Sequence, residues 1–229
     1  MVARIDAGDV PDEGSWLIAD RQTAGRGRIG RHWQDGAGNF MGTTLVHLRG
    51  DDPPAHGLAF VTAISVYRAI TSFVSDPDMG ALFAVKWPND VMFGAAKIAG
   101  ILLERRGSHV VIGIGVNLAS APAVPDRKTA SLMDIGVDVA RNDFAQNLAE
   151  HIAHGINRWR NGAWPDIILG DWMKIAHPLG TPLTLTDGDQ AGLTASFDGI
   201  ERDGRLRLRL ADGQSVTVSA GDVQLYQAR

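Results

Sequence analysis

Two aliphatic runs lie almost end to end in this chain, "KIAGILLER" at 97–105 and "HVVIGIGVNL" at 109–118, with only Arg106, Gly107 and Ser108 between them. Both have strand length and are rich in aliphatic and β-branched residues, and so short a connection favours an antiparallel hairpin. Each run also departs from a plain buried strand. Lys97 opens a stretch that is otherwise apolar to Leu103, so its ammonium needs an anion or a path to solvent. Gly113 and Gly115 weaken the second run unless another backbone or a ligand approaches closely there.

Other elements group around this hairpin. "SWLIAD" (15–20) reads as a short buried strand and "NFMGTTLVHL" (39–48) as another. Apolar residues Leu58, Val61, Ile64, Ala69, Ile70 and Phe73 recur at helical spacing over 57–74, with Asp76-Pro77 closing the helix. "LFAVKWPND" (82–90) is a strand that Pro88 ends, followed by a tight turn at Asn89-Asp90. Residues 120–132 read as an irregular surface loop. Asn142 is the expected N-cap of a helix through Phe144, Leu148, Ile152, Ile156 and Trp159, and Pro165 fits the first turn of the next. After Pro178 the pattern changes to short alternating strands with Asp-Gly at four turns, a small β-barrel-like module of about 50 residues.

Between the first two strands lies "TAGRGRIGRHW" (23–33). Its letters match the G-x-G-x-x-G dinucleotide pattern, but that fingerprint needs a helix opening at the third glycine, and "RHWQDGAGNF" has more turn residues and no helical period. A disordered RG-type nucleic-acid segment does not suit a motif flanked by strands in a chain of net charge −4. The remaining alternatives are a solvated basic turn and an anion clamp. In the clamp, glycines let the backbone approach a ligand while Arg26, Arg28 and Arg31 converge on phosphate or carboxylate oxygens.

Composition removes several classes. With no cysteine there is no disulfide, thiolate catalysis or Cys-based zinc site, which fits a cytoplasmic protein. No apolar run reaches the roughly 18 residues of a membrane span. The seven histidines show no H-x-x-x-H or H-E-x-x-H pattern, and His151 and His154 read as exposed helix residues. In "KWPND" (86–90), Trp87 reads as core and Lys86 as a cation beside it at the end of a strand, while Asp90 has two readings, a Mg²⁺ ligand or a partner for a basic side chain.

Taken in order and spacing, "QTAGRGRIGRHW", "KWPND", "KIAGILLE" and "GIGVNL" resemble the catalytic core of the biotin protein ligases, in the short form without a DNA-binding domain. The resemblance extends into the C-terminal β module. It implies an α+β fold: a class II synthetase-like catalytic domain with a mixed sheet and flanking helices (1–177), and an SH3-like barrel (178–229). It implies activation of biotin by ATP and Mg²⁺ to biotinyl-5′-AMP, then transfer to a lysine of a biotin carboxyl carrier domain, with no DNA or membrane partner and a homodimer left open. By motif, Lys97, Arg28 and Arg26 are the catalytic cations. Gln22, Gly25, Gly100 and Leu102 join them in the biotin pocket, while Arg31, Trp33, Lys86, Asn89 and Asn117 fall on the ATP side and Asp90 on Mg²⁺.

The family's Ser-Thr-Asn motif stands about two dozen residues before the glycine-arginine loop. It would fall at or before Met1, and "MVARIDAGD" reads as the tail of the helix after it, so a coding start further upstream is expected. The rival readings are a lipoate or octanoyl transferase of the same superfamily, and an inactive biotin-binding or carrier-docking protein.

Overall fold

The computed structural model describes residues 1–226 apart from Asp35, Asp126, Gly188 and Asp189. Six strands, β1 (Leu17–Ile18), β2 (Phe40–His47), β3 (Phe83–Lys86), β4 (Asp90–Phe93), β5 (Ala96–Arg106) and β6 (His109–Val116), form one sheet in the order β1-β2-β6-β5-β4-β3. The β5/β6 hairpin is at its centre, running from Ala99 opposite Val116 to Arg106 opposite His109, with Gly107 at φ 58° in the turn. All ladders between these strands are antiparallel, and among the described residues parallel pairing enters through the bridges Val85–Ala176 and Lys97–Thr129.

Helices α1 (Val2–Asp6), α2 (Gly57–Thr71), α3 (Pro77–Gly80), α4 (Arg141–Arg158) and α5 (Asp166–Ile175) accompany the sheet. α2 is buried nearly all round because it lies between the sheet and α4. Its two buried hydroxyls bond back one turn, Thr62 to Leu58 O at 2.7 Å and Ser65 to Val61 O at 2.8 Å, so neither is an unpaired polar group in the core. α4 buries the stripe Phe144, Leu148, Ile152 and Ile156, as its spacing predicts, and Trp159 beyond it is fully buried.

Local chemistry departs from the sequence reading at several ends. β1 is paired on one side only, and Leu17 and Ile18 are exposed rather than buried because no layer covers this edge. Asn142 lies inside α4, whose N-cap is Ala140, without a side-chain cap. Asp76 opens α3, accepting from Asp78 N at 2.9 Å. Pro88 interrupts the ladder for only three residues, since the chain returns as β4 with Asp90 paired to Lys86; Asp90 is thus a strand residue, not a turn residue.

The second unit contains β7 (Pro182–Leu185), β8 (Thr194–Ile200), β9 (Leu206–Arg209), β10 (Ser215–Val218) and β11 (Val223–Leu225), antiparallel in the order β10-β9-β8-β7-β11. Alternation sends Leu206 and Leu208 inward and their arginine neighbours outward. Of the four Asp-Gly pairs, Asp203-Gly204 and Asp212-Gly213 make turns, whereas Asp198-Gly199 is a bulge within β8, with Gly199 at φ 112°. The expected turn at Asp187-Gly188 lies partly outside the described residues. The "KWPND" tip docks on this unit, with Trp87 Nε1 donating to Gly204 O at 3.2 Å and Lys86 Nζ to Val223 O at 2.6 Å. Among the described residues no helix is long and apolar enough to cross a membrane.

Candidate active site

A cavity of about 720 Å³ opens on the face of the sheet opposite α2, with the start of α1 in its wall. Along β6, Val111, Gly113 and Gly115 line it while Ile112 and Val116 enter the core; along β5, Gly100, Leu102 and Glu104 line it. Gly100 and Gly115 stand opposite each other in the ladder, and the indole of Trp33 rests on the bare backbone they leave. A Cβ at Gly100 would come within 2.8 Å of that ring and 3.0 Å of Lys97 Nζ, and a Cβ at Gly115 would overlap the ring. The strand glycines therefore serve a close approach. Lys97 Nζ lies 5.5 Å from the indole centroid, so a cation and an aromatic face meet over the cavity floor.

The glycine-arginine segment is a small closed hairpin. Trp33 N donates to Gly25 O at 3.0 Å and Gly27 N to Arg31 O at 2.7 Å, Arg26 and His32 form a bridge, and a single 3-10 turn over Arg28–Gly30 makes the tip. Gly25 is required by space, since a Cβ there would meet Gln22 Oε1 at 2.8 Å and collide with the Trp33 carbonyl. The three arginines do not all converge. Arg26 reaches Glu104 on the cavity wall at 3.2 Å, while Arg28 donates to Gly221 O at 3.1 Å and Arg31 pairs with Asp222. Arg28 and Arg31 thus both engage the turn before β11.

Two buried carboxylates organise the remaining cations. Asp90, 3% exposed, pairs with Lys97 at 2.5 Å and Lys86 at 3.0 Å. Burial would raise its pKa, but the two ammonium groups outweigh that cost and hold it well below the usual carboxylate range. Asp222, 4% exposed, takes Arg31, Arg127 at 2.8 Å and, more distantly, Lys86 at 3.8 Å. It too is held low against burial by Lys86, Arg31 and Arg127, with Asp90 opposing them. Burial drives the Arg28 guanidinium below its ordinary value, against the pull of Asp222 and Asp90.

Asn117 fixes the loop that follows β6. Its backbone N–H donates to Ile98 O at 2.9 Å and its side-chain amide to Ala130 O at 3.1 Å, while Leu132 N donates to Asn117 O at 3.0 Å. Lys97 N bonds to Lys128 O at 2.8 Å, so residues 128–132 are stitched to the start of β5. Asn117 Oδ1 remains buried without a hydrogen-bond partner. It is an unused acceptor at the cavity wall.

Gln22, Gly25, Arg26, Arg28, Arg31, Trp33, Asn89, Asp90, Lys97, Gly100, Leu102 and Asn117 all line this one cavity. Lys86 does not; it lines an adjoining cavity of about 560 Å³ that shares Asp90, Lys97 and Arg127 with the first. Asn89 spends its amide on Ile101 O at 2.5 Å, bracing the hairpin tip. Sequence reasoning missed Arg127, Glu104 and Asp222. The adjacent cations of "PDRKT" were a signal for Arg127, whereas nothing local distinguishes Asp222 from any other turn aspartate.

Asp90, the residue expected on Mg²⁺, has Lys97 Nζ and Lys86 Nζ at ion-pair distance from its two oxygens, while its buried Oδ1 makes no well-formed hydrogen bond. Mg²⁺ binds through one or two carboxylates plus phosphate and water, and the cavity carboxylates Asp90, Glu104 and Asp222 are each engaged by a lysine or an arginine. Among the described residues no three His, Asp or Glu side chains cluster as a metal site. A Mg²⁺ ion here would take most of its ligands from phosphate and water.

Comparison with known proteins gives a consistent result. Residues 9–117 match the biotin/lipoate A/B protein ligase family and residues 179–226 the biotin protein ligase C-terminal domain. The chain is 38% identical over 222 residues to the biotin–[acetyl-CoA-carboxylase] ligase of Paracoccus denitrificans, covering 90% of this chain and 88% of that protein. It is 34% identical over 227 residues to the Mycobacterium tuberculosis protein of the same name, covering 97% and 83%. The biotin protein ligase of Aquifex aeolicus, solved with biotin and ATP, superposes with a TM-score of 0.80 at 25% identity, covering 96% of this chain and 91% of that one. Extended similarity through both units, together with a cation-rich cavity floored by glycine, shows that this chain belongs to the biotin protein ligase family.

Proposed function

We propose that the protein joins biotin to ATP and passes the biotinyl group to a carrier lysine. In the first step a biotin carboxylate oxygen attacks the α-phosphorus of ATP and pyrophosphate leaves. In the second the lysine amine attacks the acyl carbon of biotinyl-5′-AMP and AMP leaves. The observation that carries this reading is the unequal charge at the cavity: among the described residues its wall carries Arg21, Arg26, Arg28, Arg31, Lys97 and Arg127 against Asp90, Glu104 and Asp222. Carboxylate and triphosphate repel each other in a dry pocket, and an excess of fixed cations offsets that repulsion and stabilises charge at phosphorus.

Each residue then has a task. Lys97, held by Asp90 beside the glycine floor, lies between the two anions, and Arg26 and Arg28 close over them from the loop. Charge-assisted hydrogen bonds of this kind contribute roughly 1.5–3 kcal/mol each. Gln22, Gly25, Gly100 and Leu102 border the biotin ring system, and Trp33 offers an aromatic face toward the nucleotide. On the nucleotide side Arg31 takes phosphate and the unused Asn117 Oδ1 accepts from the adenine amino group, while Asn89 and Lys86 keep the hairpin tip and its cations in place. The transfer step needs no protein nucleophile, so the site mainly excludes water and admits one lysine. The carrier is a biotin carboxyl carrier domain of a carboxylase, the two units divide at 177/178, and the reaction belongs to the cytoplasm.

Mixing the protein with biotin, ATP, Mg²⁺ and a carrier domain tests this. Pyrophosphate should appear and the carrier should gain one biotinyl group by mass. Absence of both overturns the reading, and transfer of lipoate in preference to biotin would instead favour the lipoyl branch.

A further inference from the structure

Asp222 belongs to neither the motif strands nor the loop. It is delivered from the C-terminal unit on the turn between β10 and β11, where Gly221 adopts φ 141° and a Cβ would press to 3.2 Å from Asp187 O. The turn is fixed from its own side, Thr186 N donating to Asp222 O at 2.9 Å. Its carboxylate nonetheless faces the main cavity, which it lines with Arg28, Arg31 and Arg127. Asp90 is held by lysines from its own sheet, whereas Asp222 holds two arginines from two loops across the cleft. Guanidinium forks suit carboxylate and phosphate oxygens alike.

We infer that Asp222 is a positioning residue that stands in for nucleotide phosphate: it holds Arg31 and Arg127 in the free protein, releases them to phosphate oxygens as ATP binds, and takes them back as pyrophosphate leaves. This rests on the reading of the cavity as the ATP site. Two consequences follow from charge. Asp222 keeps two flexible side chains ordered before the ligand arrives, which lowers the entropic cost of binding. It also competes with the phosphates, which prevents the surplus of cations from trapping the leaving group.

Titration of the full chain with pyrophosphate and with ATP, wild type beside Asp222→Asn, tests the exchange. Asparagine keeps the shape and an acceptor oxygen but removes the charge. The dissociation constant for pyrophosphate should fall about tenfold, a one-charge change at partly screened range. KM for ATP should fall with it, KM for biotin should hold, and Asp222→Glu should return pyrophosphate affinity toward wild type. Unchanged or weaker pyrophosphate binding in Asp222→Asn overturns the inference while leaving the ATP site standing; failure of the wild type to bind ATP removes both. Hydrogen exchange in the wild type gives a reading free of substitution: pyrophosphate should speed exchange over residues 219–223 as the arginines leave the turn, and slowed exchange there overturns the inference.

Discussion

Two arginine–carboxylate clusters in this molecule obey different arithmetic. At the far end of β2, Arg160 makes a two-pronged bond to Glu13 at 2.6 and 2.8 Å, reaches Asp52 at 3.0 Å and the His47 carbonyl at 2.8 Å, and Arg49 completes the group at 3.5 Å from Glu13. His47 N donates to the Glu13 Oε2 that Arg160 also holds, at 2.7 Å, and Arg49 N to Asp52 Oδ2 at 3.0 Å. Two cations face two anions, and no place is left for a ligand. At the cavity, among the described residues, six cations face three anions, and an acceptor on Asn117 stays open. The first cluster ties the segment before β1 to the end of α4. The second is satisfied only in part by the protein itself, as a site for two anionic substrates requires.

The sharpest way to break this contrast is Lys97→Ala. Biotinyl-AMP formation, followed as pyrophosphate release, should drop by about 10³, some 4 kcal/mol of barrier, while the melting temperature holds because Lys86 still neutralises Asp90 at 3.0 Å. Near-normal turnover would mean that the excess charge is not catalytic.

Glu13→Gln should do the reverse, costing about 2 kcal/mol of stability at pH 7 in urea unfolding with turnover unaltered. Arg160 above all, with help from His47 N, holds the Glu13 carboxyl at about 2, against an ordinary 4.5. A lowered carboxylate gives stability that is complete above its ordinary value and lost as pH falls through the folded one. The gap between wild type and variant should therefore close between about pH 4.5 and 2, and a gap constant over that range would count against the ion pair. The smallest stability effect belongs to Arg26→Ala: its pair with Glu104 is exposed at the arginine, and its loss should cost under about 0.5 kcal/mol. KM for biotin should still rise several-fold, which a purely structural arginine would not produce.

What the sequence reveals of this site depends on how far apart its parts lie in the chain. The β5/β6 hairpin, the amphipathic stripe of α4 and the alternation of β9 are written in short-range periodicity, and they are where the pattern puts them. Gly100 and Gly115 also signal themselves, because glycine inside a strand needs a reason. Leu17 and Ile18 mislead, since an apolar pair does not say whether a layer will cover it. Asp222 and Arg127 are 95 residues apart and meet only because a separate β unit docks on the "KWPND" tip. No local rule could couple them. Asp90 shows the intermediate case: both of its readings are legible in the sequence, and only the register between the two lysine strands brings Lys86 and Lys97 to it.

The indole lying on Gly100 and Gly115 gives the molecule a built-in optical reporter. Of the six tryptophans, Trp33 alone lines the main cavity, while Trp87, Trp159 and Trp172 are buried in the core. Any molecule that settles on the glycine floor must either slide against that ring or lift it, and both alter its solvent shell and its distance from the Lys97 ammonium. Occupancy of the cavity is thus written into the intrinsic emission of a single side chain, readable without a label.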